Sequence, residues 1–250
     1  MTSDPWLILL VIVPLLAAPV CVLLRSATGA WSVATAVSWA VFGISLKLLD
    51  TVMEQGIVRY RIGGWDAPWG IEYKLDSVGV FVVLIVSAIG AVMLPYAKRS
   101  VEKEIRQDRI YLFYAMLLLC LSGLLGITVT GDAFNLFVFL EISSLSSYVL
   151  ISLGTDRRAL TAAFRYLIMG TLGATFYIIG VGLLYQTTGT LNIEDLKTIM
   201  PAVIDTRTVH AALAFLTVGI SLKLALFPLH QWLPNAYTFA PSAVTAFLAA

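Results

Sequence analysis

Apolar stretches separated by short polar joints make up most of the chain. A bilayer core is crossed by about 20 apolar residues in helical form. The first stretch, Pro5–Leu24, has that length and is closed by Arg25. The joint SATGA leads to a second stretch over residues 31–49, in which Trp31 and Trp39 fit packing or interfacial anchors. Further stretches cover residues 77–97, 110–130, 133–153, 160–185 and 209–229. Pro241 opens an eighth, which reaches Ala250 without a polar stop. The pattern predicts an all-α polytopic membrane protein, residues 1–250 forming one transmembrane domain, with about seven complete transmembrane helices and the start of an eighth. It also suggests a fragment, or the first part of a longer gene product.

The polar segments add detail. Residues 50–76 alternate Ile57, Arg59 and Arg61 with Val58, Tyr60 and Ile62. A Gly63-Gly64 pair and Asp66-Ala67-Pro68 follow, and then a second run, IEYKL, at 71–75. That is the signature of a β-hairpin between helices 2 and 3, expected to cap the outer face. Residues 98–109, KRSVEKEIRQDR, mix both signs of charge densely and read as a solvated loop. Gly131-Asp132 is a very tight joint with Asp132 as a helix cap. Residues 189–208 form a loop holding a short capped helix at 192–197. The small-residue run MGTLGATFYIIGVG in the sixth stretch favours close helix approach.

Composition agrees: 59% of residues are hydrophobic and 12% charged, against roughly 45–50% and about 25% in soluble proteins. The net charge of +1 carries no information, and no basic tract suggests nucleic acid. Cys21 and Cys120 lie within apolar runs and read as small buried hydrophobes; no cofactor or metal is expected. The start, MTSDPW, has no basic residue before its apolar run, which argues against a cleaved signal peptide. With the amino terminus outside, Arg25, Lys98, Arg99, Lys103, Arg106, Arg109, Arg157 and Arg158 fall on the inner side, a modest bias for that orientation.

Two ionisable residues stand inside the spans, and such residues mark ion or proton pathways by default because they are costly there. Glu141 lies in the fifth stretch, nine residues past Asp132, about 13 Å along the helix and near mid-bilayer. Ser144, Leu145 and Tyr148 share its face, with Ser143, Ser146 and Ser147 close by. Lys223 lies in the seventh stretch, roughly 21 Å along it. Pro228 and Pro234 are expected to break this helix just after the lysine, freeing the carbonyls of Leu224 and His230, and broken helices are tolerated where they line a wet cavity. His230 is either a proton relay or a structural group, and His210 reads as structural. Arg165 fits either a partner for Glu141 or Lys223 or an anchor for a lipid headgroup. A carboxylate beside an ammonium holds the proton on the ammonium, and separating them in an apolar medium favours its release to a neighbour.

At these two segments the chain resembles a known family. GDAFNLFVFLEISSLSSYVLISLG is similar to the fifth-helix signature of the antiporter-like membrane subunits. LKLALFPLHQWLPNAYTFAPSAVTAFLAA is similar to their broken seventh helix and the start of the eighth. These proton-conducting subunits occur in respiratory complex I, membrane-bound hydrogenases and multisubunit (Mrp-type) Na⁺/H⁺ antiporters. The FNLFVFLE wording and the hairpin segment most resemble the D-type subunit of the Mrp antiporters. The resemblance implies that Glu141 and Lys223 are the paired charges of a proton path. It makes residues 1–109 peripheral and residues 110–250 the first, incomplete proton-path repeat of an inverted pair. It implies a transporter subunit rather than a catalyst by itself, other membrane subunits as partners, protons and Na⁺ as transported ions, and the bacterial inner membrane as the setting. The alternative is a proton-pumping subunit of an NADH:quinone oxidoreductase or hydrogenase. A third reading is a non-conducting scaffold.

Overall fold

The computed structural model describes residues 4–249; the polar start at residues 1–3 and Ala250 lie outside the described residues. Ten α-helices are present among them, with one two-stranded sheet. Six of the helices are long and apolar enough to cross a membrane: α1 (Pro5–Leu24), α2 (Ala27–Gln55), α3 (Ser77–Glu104), α4 (Ile110–Val129), α5 (Ala133–Ser152) and α6 (Arg157–Thr188). This is an integral membrane protein of the all-α class.

Side-chain oxygens start most of these helices by accepting from otherwise unpaired N–H groups. Asp4 accepts from Trp6, Asp76 from Gly79, Asp132 from Asn135 and Asp156 from Arg158. Asp132 is therefore a cap, as its position after Gly131 suggests. The hairpin forms as expected, with β1 (Val58–Arg61) antiparallel to β2 (Glu72–Leu75) and Val58 opposite Leu75. Gly63 and Gly64, at φ 68° and 78°, take the left-handed backbone that the turn requires.

α4 is the central post. Phe113, Tyr114, Leu117, Leu118, Leu121 and Leu125 are all fully buried. Two of its glycines let α5 lie close: a Cβ on Gly123 would sit 2.7 Å from the Ser143 nitrogen, and one on Gly126 would enter the Phe139 ring. This contact fixes which face of α5 points away from α4. The small-residue run in α6 works as expected. Gly173 and Gly180 pack onto α8 (Arg207–Lys223), and Gly219 on α8 answers them, where a Cβ would lie 2.8 Å from the Gly173 carbonyl.

Several boundaries differ from expectation. α2 starts at Ala27, so most of SATGA is helical, with Ser26 as its cap. α3 runs through to Glu104, and the solvated loop shrinks to a short joint before α4. Residues 98–104 hold no glycine or proline, and Lys and Glu favour helix. The extension is also packed, with Lys98 4.1 Å over the Trp31 ring and Val101 fully buried. The capped helix in the 189–208 loop is longer than expected: α7 covers Ile193–Val203. The seventh span is broken, as expected. α8 stops at Lys223, residues 224–231 are irregular, and α9 (Trp232–Phe239) resumes before α10 (Ser242–Ala249).

The two ends of the bundle are distinct. At one end lie the hairpin, α7 and the α4–α5 joint, tied by bridges between Tyr73 and Thr130 and between Asp132 and Asn192. At the other, the Glu104 carboxylate accepts from the Ser242 N–H at 2.6 Å, and Arg158 lies 4.7 Å over the Phe239 ring.

Candidate functional site: an ion pair at a helix break

The end of α8 is built by its backbone. Leu226 N–H donates to the Ser221 carbonyl at 3.0 Å and Ala225 N–H to the Leu222 carbonyl at 3.4 Å, while Ala225 has φ 52°. A 6→1 bond, a 5→2 bond and a left-handed residue make a Schellman stop. The expected break is present, but its cause is different. Pro228 lies in the irregular segment, where it has no helix to break, and the Leu224 carbonyl is not freed by it. Pro234 stands in the first turn of α9, where no N–H is needed, and the His230 carbonyl accepts from Leu233 at 3.0 Å. Pro234 belongs to the restart of the helix.

Lys223, the last residue of α8, extends to α5. Its ammonium donates to Glu141 Oε1 at 2.8 Å and to Ser144 Oγ at 2.9 Å. The Lys223 side chain is 10% exposed and that of Glu141 21%, so the charges are largely withdrawn from solvent and depend on one another. Glu141 and Ser144 are three residues apart, neighbours on one helix face, and so a single ammonium reaches both. Ser143, Ser146 and Ser147 spend their hydroxyl protons on carbonyls of their own helix, those of Leu140, Ile142 and Ser143. Their oxygens remain as acceptors.

Beside the pair lies a cavity of about 320 Å³, lined in part by Ser143, Ser144, Ser147, Lys223, Tyr166 and Trp232. Its volume exceeds the share of several waters at about 30 Å³ each, and its wall offers hydroxyl oxygens and an ammonium. Such a chamber can hold a hydrogen-bonded chain that meets Lys223.

The other named residues fall as follows. The Tyr148 hydroxyl is buried against Gly170 and has no well-formed hydrogen bond among the described residues, although Tyr148 shares the Glu141 face. His230 Nδ1 is likewise buried and without a partner among the described residues, and its ring lies 5.6 Å from that of Phe227. No bond joins His230 to the Lys223–Glu141 pair among the described residues. Arg165 is exposed, makes no ion pair among the described residues, and lines a pocket with Gln231, Trp232 and Asn235.

Sequence reasoning missed an aromatic column. Tyr148 meets Tyr166 edge-on at 4.5 Å, and Tyr166 stacks on Trp232 at 4.0 Å with their planes 2° apart. Trp232 Nε1 then donates to the Leu222 carbonyl at 3.1 Å, at the break itself. The signal in the sequence is a tryptophan, Trp232, nine residues past the lysine of the seventh span.

Comparison with known proteins follows the same lines. Residues 130–250 match the family described as "NADH:quinone oxidoreductase/Mrp antiporter, TM". The NADH-quinone oxidoreductase subunit N of Desulforudis audaxviator is 43% identical over 247 residues, covering 97% of this chain and 49% of that one. The D-type subunit of the Na⁺/H⁺ antiporter of Alkalihalophilus pseudofirmus is 34% identical over 203 residues, 81% of this chain and 41% of that one. A chain in the structure of the Mrp complex from Dietzia sp. superposes with a TM-score of 0.87 at 28% identity, over 100% of this chain and 46% of that one. The chain thus spans about half the length, or somewhat less, of the curated relatives it matches.

Proposed function

From a chain that belongs, with residues 130–250, to the NADH:quinone oxidoreductase/Mrp antiporter transmembrane family, we propose a proton-translocating subunit of a multisubunit Na⁺/H⁺ antiporter. The observation that carries the reading is the Lys223–Glu141 contact of 2.8 Å at a helix break, beside a serine-lined cavity. Ions about 4 Å apart at an effective dielectric near 20 attract by about 4 kcal/mol. A closed pair therefore keeps its proton on Lys223. Opening the pair, by drawing Glu141 to another cation or turning the residues 224–231, removes that support. The proton then passes to the hydrogen-bonded chain in the cavity. Ser144 steadies the ammonium, Tyr148 packs beside the pair as a support, and His230 is a relay or a support farther along. In this reading residues 110–250 form the first of two proton-path repeats. Other membrane subunits complete the assembly in the bacterial inner membrane, with the amino terminus and hairpin end outside.

A second reading has its own support: the 43% identical relative is named as an oxidoreductase subunit, so the same pair would serve a redox-driven pump. The test uses the full-length protein in its assembly, in everted vesicles. Glu141→Gln and Lys223→Met should each abolish Na⁺-driven proton movement while the complex still assembles. Proton movement driven by NADH but not by Na⁺ moves the assignment to the second reading. Transport that survives both substitutions leaves a scaffold and ends the proposal.

A further inference from the structure

At the end of the bundle opposite the hairpin, two cavities adjoin along α6 and α9. One, of about 220 Å³, is lined by Arg158, Thr161, Arg165, Asn235 and Phe239; the other, of about 430 Å³, by Phe164, Arg165, Ile168, Gln231, Trp232 and Asn235. Arg165 and Asn235 belong to both. Arg158 and Arg165 are seven residues apart, two helical turns on one face and about 10 Å in depth. Arg158 already holds Asp156 at 2.9 Å. Arg165 has no acidic partner among the described residues, and Asp156 is the acid recorded at this end of α6.

Depth sets what such a pocket can meet. α6 has 32 residues, about 48 Å, against a hydrocarbon core of about 30 Å. With the excess shared between its ends, Arg158 lies among the headgroups. Arg165 lies at the edge of the hydrocarbon, where a long side chain reaches back to the interface. Below it the wall turns apolar, and Phe164 and Ile168 are exposed. A guanidinium at headgroup depth, two side-chain amides beside it and an apolar groove beneath are complementary to a phosphodiester on acyl chains. Basic pockets between helices on the cytoplasmic side hold such headgroups.

We propose that this pocket binds an anionic phospholipid, its phosphate on Arg165 and Arg158 with Asn235 and Gln231 as donors, and one acyl chain along Phe164 and Ile168. The site does not depend on which ion the protein moves. Trp232 is its inner wall and also a wall of the Lys223 cavity.

The test is native mass spectrometry of the full-length protein with its partner subunits, titrated with phosphatidylglycerol or phosphatidylcholine. Arg165→Gln and Arg158→Gln should each weaken phosphatidylglycerol binding about fivefold and leave phosphatidylcholine adducts unchanged. Arg207→Gln, at the hairpin end, should change neither. A photoreactive phosphatidylglycerol should label residues 161–169 and 231–239 of the unaltered protein, a readout that needs no variant to fold. Equal adducts in all variants, or labelling elsewhere only, would overturn the proposal. So would full displacement by inorganic phosphate, which would make the ligand a free anion. Loss of a partner subunit from Arg165→Gln with lipid adducts intact would make the pocket a protein interface instead.

Discussion

A single hydroxyl shows how tightly the neighbourhood of the ion pair is filled. The Tyr148 hydroxyl is buried, has no well-formed hydrogen bond among the described residues, and lies against the bare Cα of Gly170. An unmade hydrogen bond in the interior costs about 1–3 kcal/mol, and removing the polar atom removes that cost. Tyr148→Phe should therefore keep or raise the thermal unfolding temperature. Gly170→Ala should destabilise by roughly 1–3 kcal/mol, because a Cβ there meets that hydroxyl and the core is overpacked. Combining the two should recover part of the loss, since the clashing oxygen is gone. Unfolding followed in detergent would decide it. A clear loss of stability in Tyr148→Phe would mean the hydroxyl has a partner, a water in the path above all, and transport should then fall with it. The pair itself was legible in the sequence at this scale. One acid and one ammonium in separate apolar runs have few ways to be satisfied except together. Tyr166 was not legible, because an aromatic in a span is ordinary until a second ring lies flat on it.

At the scale of the element, the break in the seventh span was legible and its mechanism was not. Proline is the loudest breaker in a sequence, and Pro228 drew the explanation to itself. The chain in fact turns at Ala225, in a left-handed conformation that any L-residue other than glycine adopts at a cost of about 1–2 kcal/mol. No residue type announces that. A glycine at this position would have been read as a stop at once. Ala225→Gly should therefore be neutral or stabilising by up to about 1 kcal/mol, the relief of strain being partly offset by the freer unfolded chain. Ala225→Val should destabilise, since a branched Cβ suits this backbone least and Ala225 also lines the cavity. If Ala225→Gly unfolds at a markedly lower temperature while Ala225→Val does not, the Schellman stop is not what ends α8. The α3 extension has a similar origin. Charge density in 98–109 reads as solvent, yet a helix leaving a membrane needs no apolar residues to continue, only good helix formers and contacts such as Lys98 on Trp31.

Across the whole molecule, the site needs α5 and α8 held at one separation, and the hairpin end supplies a clamp far from the break. Arg59 spans from Glu72 at 3.1 Å to Glu194 at 2.7 Å, and Lys74 reaches Glu194 at 3.3 Å, so the hairpin grips α7 through Glu194. α7 in turn connects α6 to α8. The helices and the hairpin could be read one stretch at a time. This clamp could not, because it joins residues 135 positions apart and depends on how the ends of the bundle meet. The bonds from Arg59 and then Lys74 hold the Glu194 carboxyl below the usual carboxylate range, while Arg59 is raised by the same contact. A carboxyl depressed in the folded state stabilises it above its unfolded value, and that contribution is lost as pH falls through the folded value. The clamp should therefore be intact at neutral pH and loosen only below the ordinary glutamate range. Glu194 is about half exposed, so salt should weaken the clamp as acid does. Amide hydrogen exchange in residues 193–203 should quicken in acid and in high salt, and Glu194→Gln should show the quickened rate already at neutral pH with little further change on acidification. Exchange that ignores both salt and Glu194→Gln would mean that α7 is held by its apolar contacts, Leu196 on the α6–α8 core, and that the charged cluster merely sits over a joint closed without it.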